Sequence, residues 1–316
     1  METADGFCAL PKAVGTNLLK SVYGFGPDLD AYAENIRVEF SIHPLKRGIH
    51  GRHTIIWETE TLPKKALPKA PVVYWPNPFS IFLGDKVFGL LMAHHLGLPV
   101  PKTTVISMRV APFTFGIPTE SNEIWMRACP SKRVPGKYPT YLGWQDPFEL
   151  VSKWNQKRNE KDAPIVSVIS QAAVTPVWSG ALTPVKDKSP VIEGVKGRGD
   201  GFMVGEKAPQ NLPEEITAQV MQVYQDAFKK LGPVELEWVF DGSKVWVVQL
   251  HVGGTIEDST LIVPGDPKQW VSFPVQKGLD ALRTLIAQTK ENNTGIELVG
   301  KVGLTSHFGH ELLAAK

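Results

Sequence analysis

Residues 234–240 and 245–251 are two runs rich in β-branched and aromatic side chains, separated only by Asp241-Gly242-Ser243-Lys244. A short Gly-containing separator between two such runs predicts an antiparallel β-hairpin. Side chains alternate between faces with a period of two, so the register decides what each face carries. With Gly242-Ser243-Lys244 as the loop, Asp241 pairs with Val245 and Glu237 faces Gln249. Trp238 then opposes Val248 and Phe240 opposes Trp246 on an apolar face, and the other face sets two oxygen donors side by side. Hard cations such as Mg²⁺ take such oxygens, completed by phosphates and water. A half-buried hairpin with a merely polar outer face has the same pattern.

A chain of 316 residues with 42% apolar and 21% charged residues has the make-up of a folded protein of about two domains. Its formal charge of +2, from 34 basic and 32 acidic residues, gives no global electrostatic reason to expect nucleic acid or an anionic membrane as partner. No apolar run approaches the roughly 18 residues of a membrane-crossing helix. Glu2 and Asp5 stand where a secretory leader would be basic, and Cys8 and Cys129 are the only cysteines, so a soluble protein of a reducing cytoplasm is expected.

The 28 glycines and 26 prolines are spread as punctuation between short apolar runs, which predicts many short elements. Alternation over residues 38–43 and 54–59 predicts an N-terminal hairpin, whose connecting segment carries Lys46, Arg47, His50 and Arg52 between His43 and His53. That group is either an anion-binding face or a solvated turn. Residues 66–78 are Pro-rich and read as a linker. After Gly84-Asp85-Lys86, Val87, Leu90, Leu91 and His94 fall at helical spacing and Gly97 marks the stop. Strands are predicted over 103–108, 124–128 and 165–170. Pro213-Glu214-Glu215 begins a helix with Ile216, Val220, Val223, Ala227 and Leu231 as its buried stripe, and Leu279, Leu282 and Ile286 mark another. Helices intermingled with hairpins predict an α+β fold.

The glycine-rich run at 194–201 lets backbone N–H groups approach an anion, but it matches neither the dinucleotide fingerprint nor the P-loop, and reads equally as a turn between strands. Lys86 in a first helical turn is unfavourable for the helix dipole unless an anion sits there. Arg127, between Met126 and Ala128 on a buried strand, needs an anionic partner, which a structural carboxylate or a ligand could equally supply.

Taken in chain order, these pieces resemble the ATP-binding half of phosphoenolpyruvate synthase, pyruvate phosphate dikinase and rifampicin phosphotransferase, over residues 80–251 or so. Gly84-Asp85-Lys86 and the exit Leu96-Gly97-Leu98-Pro99-Val100-Pro101 resemble that family's Gly-Gly-Lys helix and its Gly-Leu-Pro-Val-Pro. Trp125-Met126-Arg127-Ala128-Cys129 resembles Val-Arg-Ser-Ser, and Gly136-Lys137-Tyr138-Pro139-Thr140 resembles the end of Ala-Gly-Gln-x-x-Thr. Gln171 and Ser179-Gly180-Ala181 match the hinge Gln and Ser-Gly-Val, while Glu193 with Gly197-Arg198-Gly199-Asp200 matches Glu-x-x-x-Gly-Leu-Gly-Glu. Glu235-Leu236-Glu237-Trp238 and Gln249 resemble the closing Asp-Ile-Glu-Trp and Gln-Ala-Arg.

The resemblance implies an ATP-grasp-like, two-lobed α+β fold with an N-terminal β-hairpin extension. Residues 1–75 would form the hairpin region, 76–185 the first lobe, 186–251 the second lobe with the metal hairpin, and 252–316 a reduced phosphohistidine-type segment. It implies Mg-ATP as ligand, with Lys86 and Arg127 on the phosphates and Glu237 and Gln249 on Mg²⁺. Thr140, Gln171, Glu193, Gly197, Gly199, Asp200 and His251 complete the expected nucleotide site. The chain departs from the family at His251, where the family has Arg, and at Lys137, where it has Gln. The family's Glu-Asp after Val-Arg-Ser-Ser is also missing, with Lys132 and Arg133 nearby.

Val302-Gly303-Leu304-Thr305-Ser306-His307 is similar to the family's phosphohistidine motif, which makes His307 the implied phospho-acceptor, the alternative being an exposed His near a frayed end. The expected activity is a Mg-ATP-dependent phosphotransferase whose final acceptor the sequence does not name. A carboxylate–amine ligase of the wider ATP-grasp class and a non-catalytic nucleotide sensor are the alternatives.

Overall fold

The computed structural model describes residues 10–44, 53–63, 73, 75–132, 134, 136–156, 163–252, 256, 262–289 and 292–315. The basic connection of the N-terminal hairpin, most of the Pro-rich linker, Cys8 and Arg133 lie outside the described residues. No described helix is long and apolar enough to cross a membrane.

Two antiparallel sheets organise an α+β molecule. The first has the order β4 (Phe113–Phe115), β3 (Thr103–Ser107), β7 (Ile165–Ala172), β5 (Ile124–Pro130), β6 (Tyr141–Leu142). Its central strand, β7, is buried on both faces, as its Ile-Val-Ser-Val-Ile run requires. Ile169 faces the main core, and Val168 faces a second cluster under α4 (Pro147–Gln156), with Leu150 and Trp154. The second sheet has the order β11 (Val245–Val252), β10 (Val234–Phe240), β8 (Trp178–Thr183), β9 (Val191–Lys196). β8 precedes residue 185 yet is hydrogen-bonded into the second sheet, so the change of sheet falls between β7 and β8.

The main core runs between the sheets through α3 (Asp85–His95), whose Phe88, Leu90, Leu91 and Met92 are fully buried. α3 lies against β11 because Gly89 is its contact point: a Cβ there would overlap the Leu250 carbonyl oxygen. α6 (Glu214–Leu231) closes the other side of β10, with acids in its first turn, lysines in its last and Ile216, Val220, Tyr224 and Ala227 buried. Tyr224 takes the buried place expected of Val223, which is only half-buried. The short α2 (Pro78–Leu83) starts on a capping box between Asn77 and Ser80.

The late hairpin keeps its key pair by a route different from the expected one. Glu237 does face Gln249, but Trp238 pairs with Val247, Val239 with Trp246 and Phe240 with Val245. The turn is therefore shorter than a three-residue loop, with the Asp241 N–H donating to the Lys244 carbonyl at 3.2 Å and Gly242 at φ +101°. A bulge at Val248 adds back the missing residue and restores the face of Glu237 and Gln249. The Asp241 carboxylate holds the turn by accepting from the Ser243 and Lys244 N–H groups at 2.7 and 2.9 Å and from Trp246 Nε1 at 2.6 Å.

Gly194, Val195 and Lys196, read as part of a glycine-rich turn, belong to β9; the turn itself is Gly197–Gly199, followed by the four-residue α5 (Asp200–Met203). The N-terminal hairpin forms from β1 (Ile36–Pro44) and β2 (His53–Thr61), preceded by α1 (Lys12–Tyr23), whose Leu18 and Val22 enter the main core. Beyond the second sheet, β12 (Gln269–Pro274) and β13 (Thr294–Val299) pair in parallel, with α7 (Leu279–Thr289) as crossover and α8 (His307–Ala314) after them. Phe273, Leu282 and Phe308 give this unit its own small core.

Candidate functional site

The two sheets face each other across a cleft of about 210 Å³, lined by Trp125, Arg127, Thr140, Gln171, Glu237 and Val248 among others. Arg127 is its hub. Its Nη1 donates to the Val248 carbonyl at 2.9 Å and to Gln171 Oε1 at 3.4 Å, and its Nη2 to Gln249 Oε1 at 2.7 Å and Glu237 Oε2 at 3.3 Å. Gln249 Nε2 in turn donates to Glu237 Oε1 at 2.8 Å. The Val248 carbonyl, the Gln249 side chain next to it and Glu237 across the hairpin thus converge on one guanidinium, where the hairpin bulges.

Burial alone would raise the Glu237 carboxyl. The charges of Arg127 first, then His307, Lys86 and His251, outweigh burial and hold it down at about 2. Glu237 is therefore a carboxylate at neutral pH, and four cationic or imidazole groups from α3, β5, β11 and α8 sit close enough to act on it. His307 opens α8 as a half-buried residue against the Gly136 loop: a Cβ on Gly136 would lie 3.1 Å from its Cδ2. The frayed, exposed alternative for His307 is corrected by this packing, since the preceding Thr305 and Ser306 are fully buried.

His251, 3% exposed, places Nδ1 at 2.5 Å from Asp85 Oδ2, and Asp85 Oδ1 accepts from Trp75 Nε1 at 2.6 Å. Glu193 is aligned with Glu237 through Ala181 of β8, so it lies on the same sheet face two strands away, and its carboxylate accepts the Thr305 N–H and Oγ1, both at 2.8 Å. Thr140, Gly199 and Asp200 line the cleft. Gly197 instead shapes the β9–α5 turn at φ +76°, its N–H donating to Val177 O and its carbonyl accepting from Ser179 Oγ.

Three features escaped the sequence reading. Asp85 pairs with His251; its signal was the acid standing where the resembled motif has a second glycine. Arg198 bridges the cleft mouth, 3.3 Å from Glu123 and stacked 5.7 Å over the Trp125 ring. His310 Nε2 lies 3.2 Å from Glu235 Oε2, both side chains being about 5% exposed.

The donor set fits Mg-nucleotide in kind. Glu237 and Gln249 offer adjacent hard oxygens, and phosphates and water would have to complete the shell. No described group of three or more His, Cys, Asp or Glu could hold a metal by itself. Arg127 Nε is buried and has no hydrogen-bond partner among the described residues, a donor that a phosphate oxygen would satisfy; His251 Nε2 likewise has no partner among them.

No protein-family model matches the chain, and no curated protein matches it. Among solved structures, it aligns with a RimK-domain ATP-grasp protein from Sphaerobacter thermophilus at 14% identity and TM-score 0.34, covering 54% of this chain and 59% of that one. It aligns with phosphoribosylamine–glycine ligase from Thermotoga maritima at 12% identity and TM-score 0.36, covering 60% and 56%. For D-alanine–D-alanine ligase from Bacillus anthracis complexed with ATP the figures are 11%, 0.34, 67% and 66%. The chain spans about half to two thirds of these proteins' lengths, and alignments this partial leave function to be argued from the cleft itself.

Proposed function

We propose that the chain is an ATP-grasp-type, Mg-ATP-dependent phosphotransferase that binds nucleotide between its two sheets and passes a phosphoryl group to its own His307. The observation that carries this reading is Arg127, held in the cleft against Glu237, Gln249 and Gln171 at once, so that one cation and two adjacent oxygen donors meet where the two sheets face each other. Phosphoryl transfer asks little of a protein beyond positioning and charge stabilisation.

In this reading Lys86 and Arg127 bind phosphate oxygens, and Glu237 and Gln249 hold Mg²⁺, which supplies charge neutralisation when bound. A His307 ring nitrogen donates its lone pair to phosphorus. The P–N bond forms at the β-phosphorus as its P–O bond to the α-phosphate breaks and the electron pair leaves on AMP; water then cleaves the β–γ bond, releasing phosphate and leaving one phosphoryl group on His307, and the imidazole and water protons pass to solvent. A cleft of about 210 Å³ is smaller than the ~300–1,000 Å³ of pockets that enclose ligands of this size. Arg127 must therefore leave Glu237 for phosphate, and the sheets must part at the Arg198–Glu123 bridge.

A second reading is a carboxylate–amine ligase, since two of the aligned structures are ligases. The two readings differ in products: AMP plus phosphate with acid-labile phosphate on His307 for the dikinase-like route, ADP with dependence on an added amine for the ligase. The test is Mg-dependent ATP binding with nucleotide-product analysis, on wild type, Lys86→Ala, Glu237→Gln and His307→Ala. Loss of binding in the first two variants and loss of labelling alone in His307→Ala are expected. Normal binding by both Lys86→Ala and Glu237→Gln would remove the site, and labelling that persists in His307→Ala would remove the acceptor.

A further inference from the structure

α8 meets the second sheet through more than His307. His310, one turn further along, is three residues from His307 and so lies on the same helix face, with ring centroids 6.1 Å apart. Its partner, Glu235, is two residues from Glu237 on β10 and so lies on the same sheet face. Three residues of helix advance about 4.5 Å and two residues of strand about 6.6 Å, a mismatch that side-chain reach absorbs. The helix thus lays His310 on Glu235 and carries His307, on the same helix face with its ring centroid 6.1 Å away, over the sheet face that bears Glu237. The same approach is held at the start of α8 by Thr305 on Glu193, and Phe308, fully buried, packs where a Cβ on Gly205 would lie 2.7 Å from its ring.

We propose that the buried Glu235–His310 contact is a register pin: it fixes the rotation and height of α8 on the sheet so that His307 is presented to the phosphate site. Both are positioning residues, and neither touches the reacting atoms. A buried pair of this kind is a weak source of net stability but a strong source of specificity, because a rotated helix leaves both polar groups buried without each other. Glu193, facing Thr305 from β9 two strands away, sets the end of the helix but not its rotation, which a second contact one turn along must supply.

The inference rests on His307 as acceptor, and its test separates the two. Glu235→Gln, His310→Gln and the exchanged pair Glu235→His/His310→Glu are compared with wild type for ATP affinity, for the rate of acid-labile phosphate appearing on His307, and for amide exchange of residues 307–314. Each single variant is expected to bind ATP as wild type does, to label His307 about ten- to a hundredfold more slowly, the cost of a misplacement near 1 Å, and to lose protection in α8; the exchanged pair is expected to regain both. Single variants that label at the wild-type rate, or an exchanged pair no better than the singles, would overturn the pin. A wild type that never labels would overturn the acceptor reading, and amide exchange then decides the pin: protection lost in the singles and regained in the exchange supports it, while unchanged protection overturns it.

Discussion

Asp85 and His251 are in contact, Oδ2 to Nδ1 at 2.5 Å, and they are two of the positions at which the chain departs from the resembled pattern, one in its Gly-Gly-Lys and one in its Gln-x-Arg. One departure explains the other. An arginine here would keep a permanent cation for phosphate, whereas His251 is engaged by the acid that replaced the glycine, which Trp75 also holds. Asp85→Gly alone leaves a buried imidazole without its carboxylate, and His251→Arg alone supplies a guanidinium that Asp85 captures. The double variant frees that guanidinium for nucleotide and is expected to tighten ATP binding about tenfold, in line with ~1.5–3 kcal/mol for a hydrogen bond to a charged group. ATP titration of all four proteins checks it; additive effects of the two changes would show that the contact does not couple the sites.

Gly89 sets the distance between α3 and β11, and with it the place of Lys86. Gly89→Ala drives a methyl group into a backbone carbonyl that cannot rotate away, so a loss of about 3 kcal/mol, the upper part of the overpacking range, is expected in chemical denaturation. Gly97→Ala is the control: its φ of +79° costs about 1 kcal/mol, but nothing lies within 4 Å of the new Cβ. Equal losses in the two variants would mean that the helix–sheet approach is not tight at Gly89.

The Asp241 carboxylate holds the two-residue turn that makes the bulge at Val248 necessary. Asp241→Ala removes the acceptor of two backbone N–H groups and of Trp246 Nε1 at once, and is expected to cost about 1–3 kcal/mol and to shift Trp246 fluorescence. An unchanged emission spectrum in the folded variant would contradict the anchoring role.

Much of this arrangement was legible in the residues. Strong periodicity and capping marked α3 and α6, and alternation marked β1, β2, β10 and β11, because in those elements local preference and burial agree. β8 and β9 were silent for a physical reason. Gly180 and Gly194 pair across them and leave open the space that the buried Trp238 ring fills, a Cβ on either lying within 3.0 Å of it. Strands that give up side chains to seat a neighbour's indole lose the β-branched signature by which a strand is recognised. The oxygen pair at Glu237 and Gln249 was legible, but the turn and bulge were not, since a shorter loop plus one extra residue gives the same facing as a longer loop without it. The contacts of Glu193 with Thr305 and Glu235 with His310 span long stretches of chain, and no local pattern announces them.

Glu237 ties the site to the stability of the fold through pH. Its carboxyl is held at about 2 instead of the ordinary 4.5, because Arg127 and the neighbouring cationic groups favour the charged form more than burial disfavours it. A group whose folded value is depressed stabilises the native state above its unfolded value and loses that contribution as pH falls through its folded value. The contribution, on the order of 3 kcal/mol, is complete above about pH 4.5 and vanishes toward pH 2. Asp241 is also held at about 2 and titrates in the same window, so the informative quantity is the stability difference between wild type and Glu237→Gln, which cannot titrate at this position. That difference should fall steadily in favour of the variant between pH 4.5 and pH 2. A difference that does not change with pH would mean that Arg127 and its neighbours do not act on Glu237 in the folded protein.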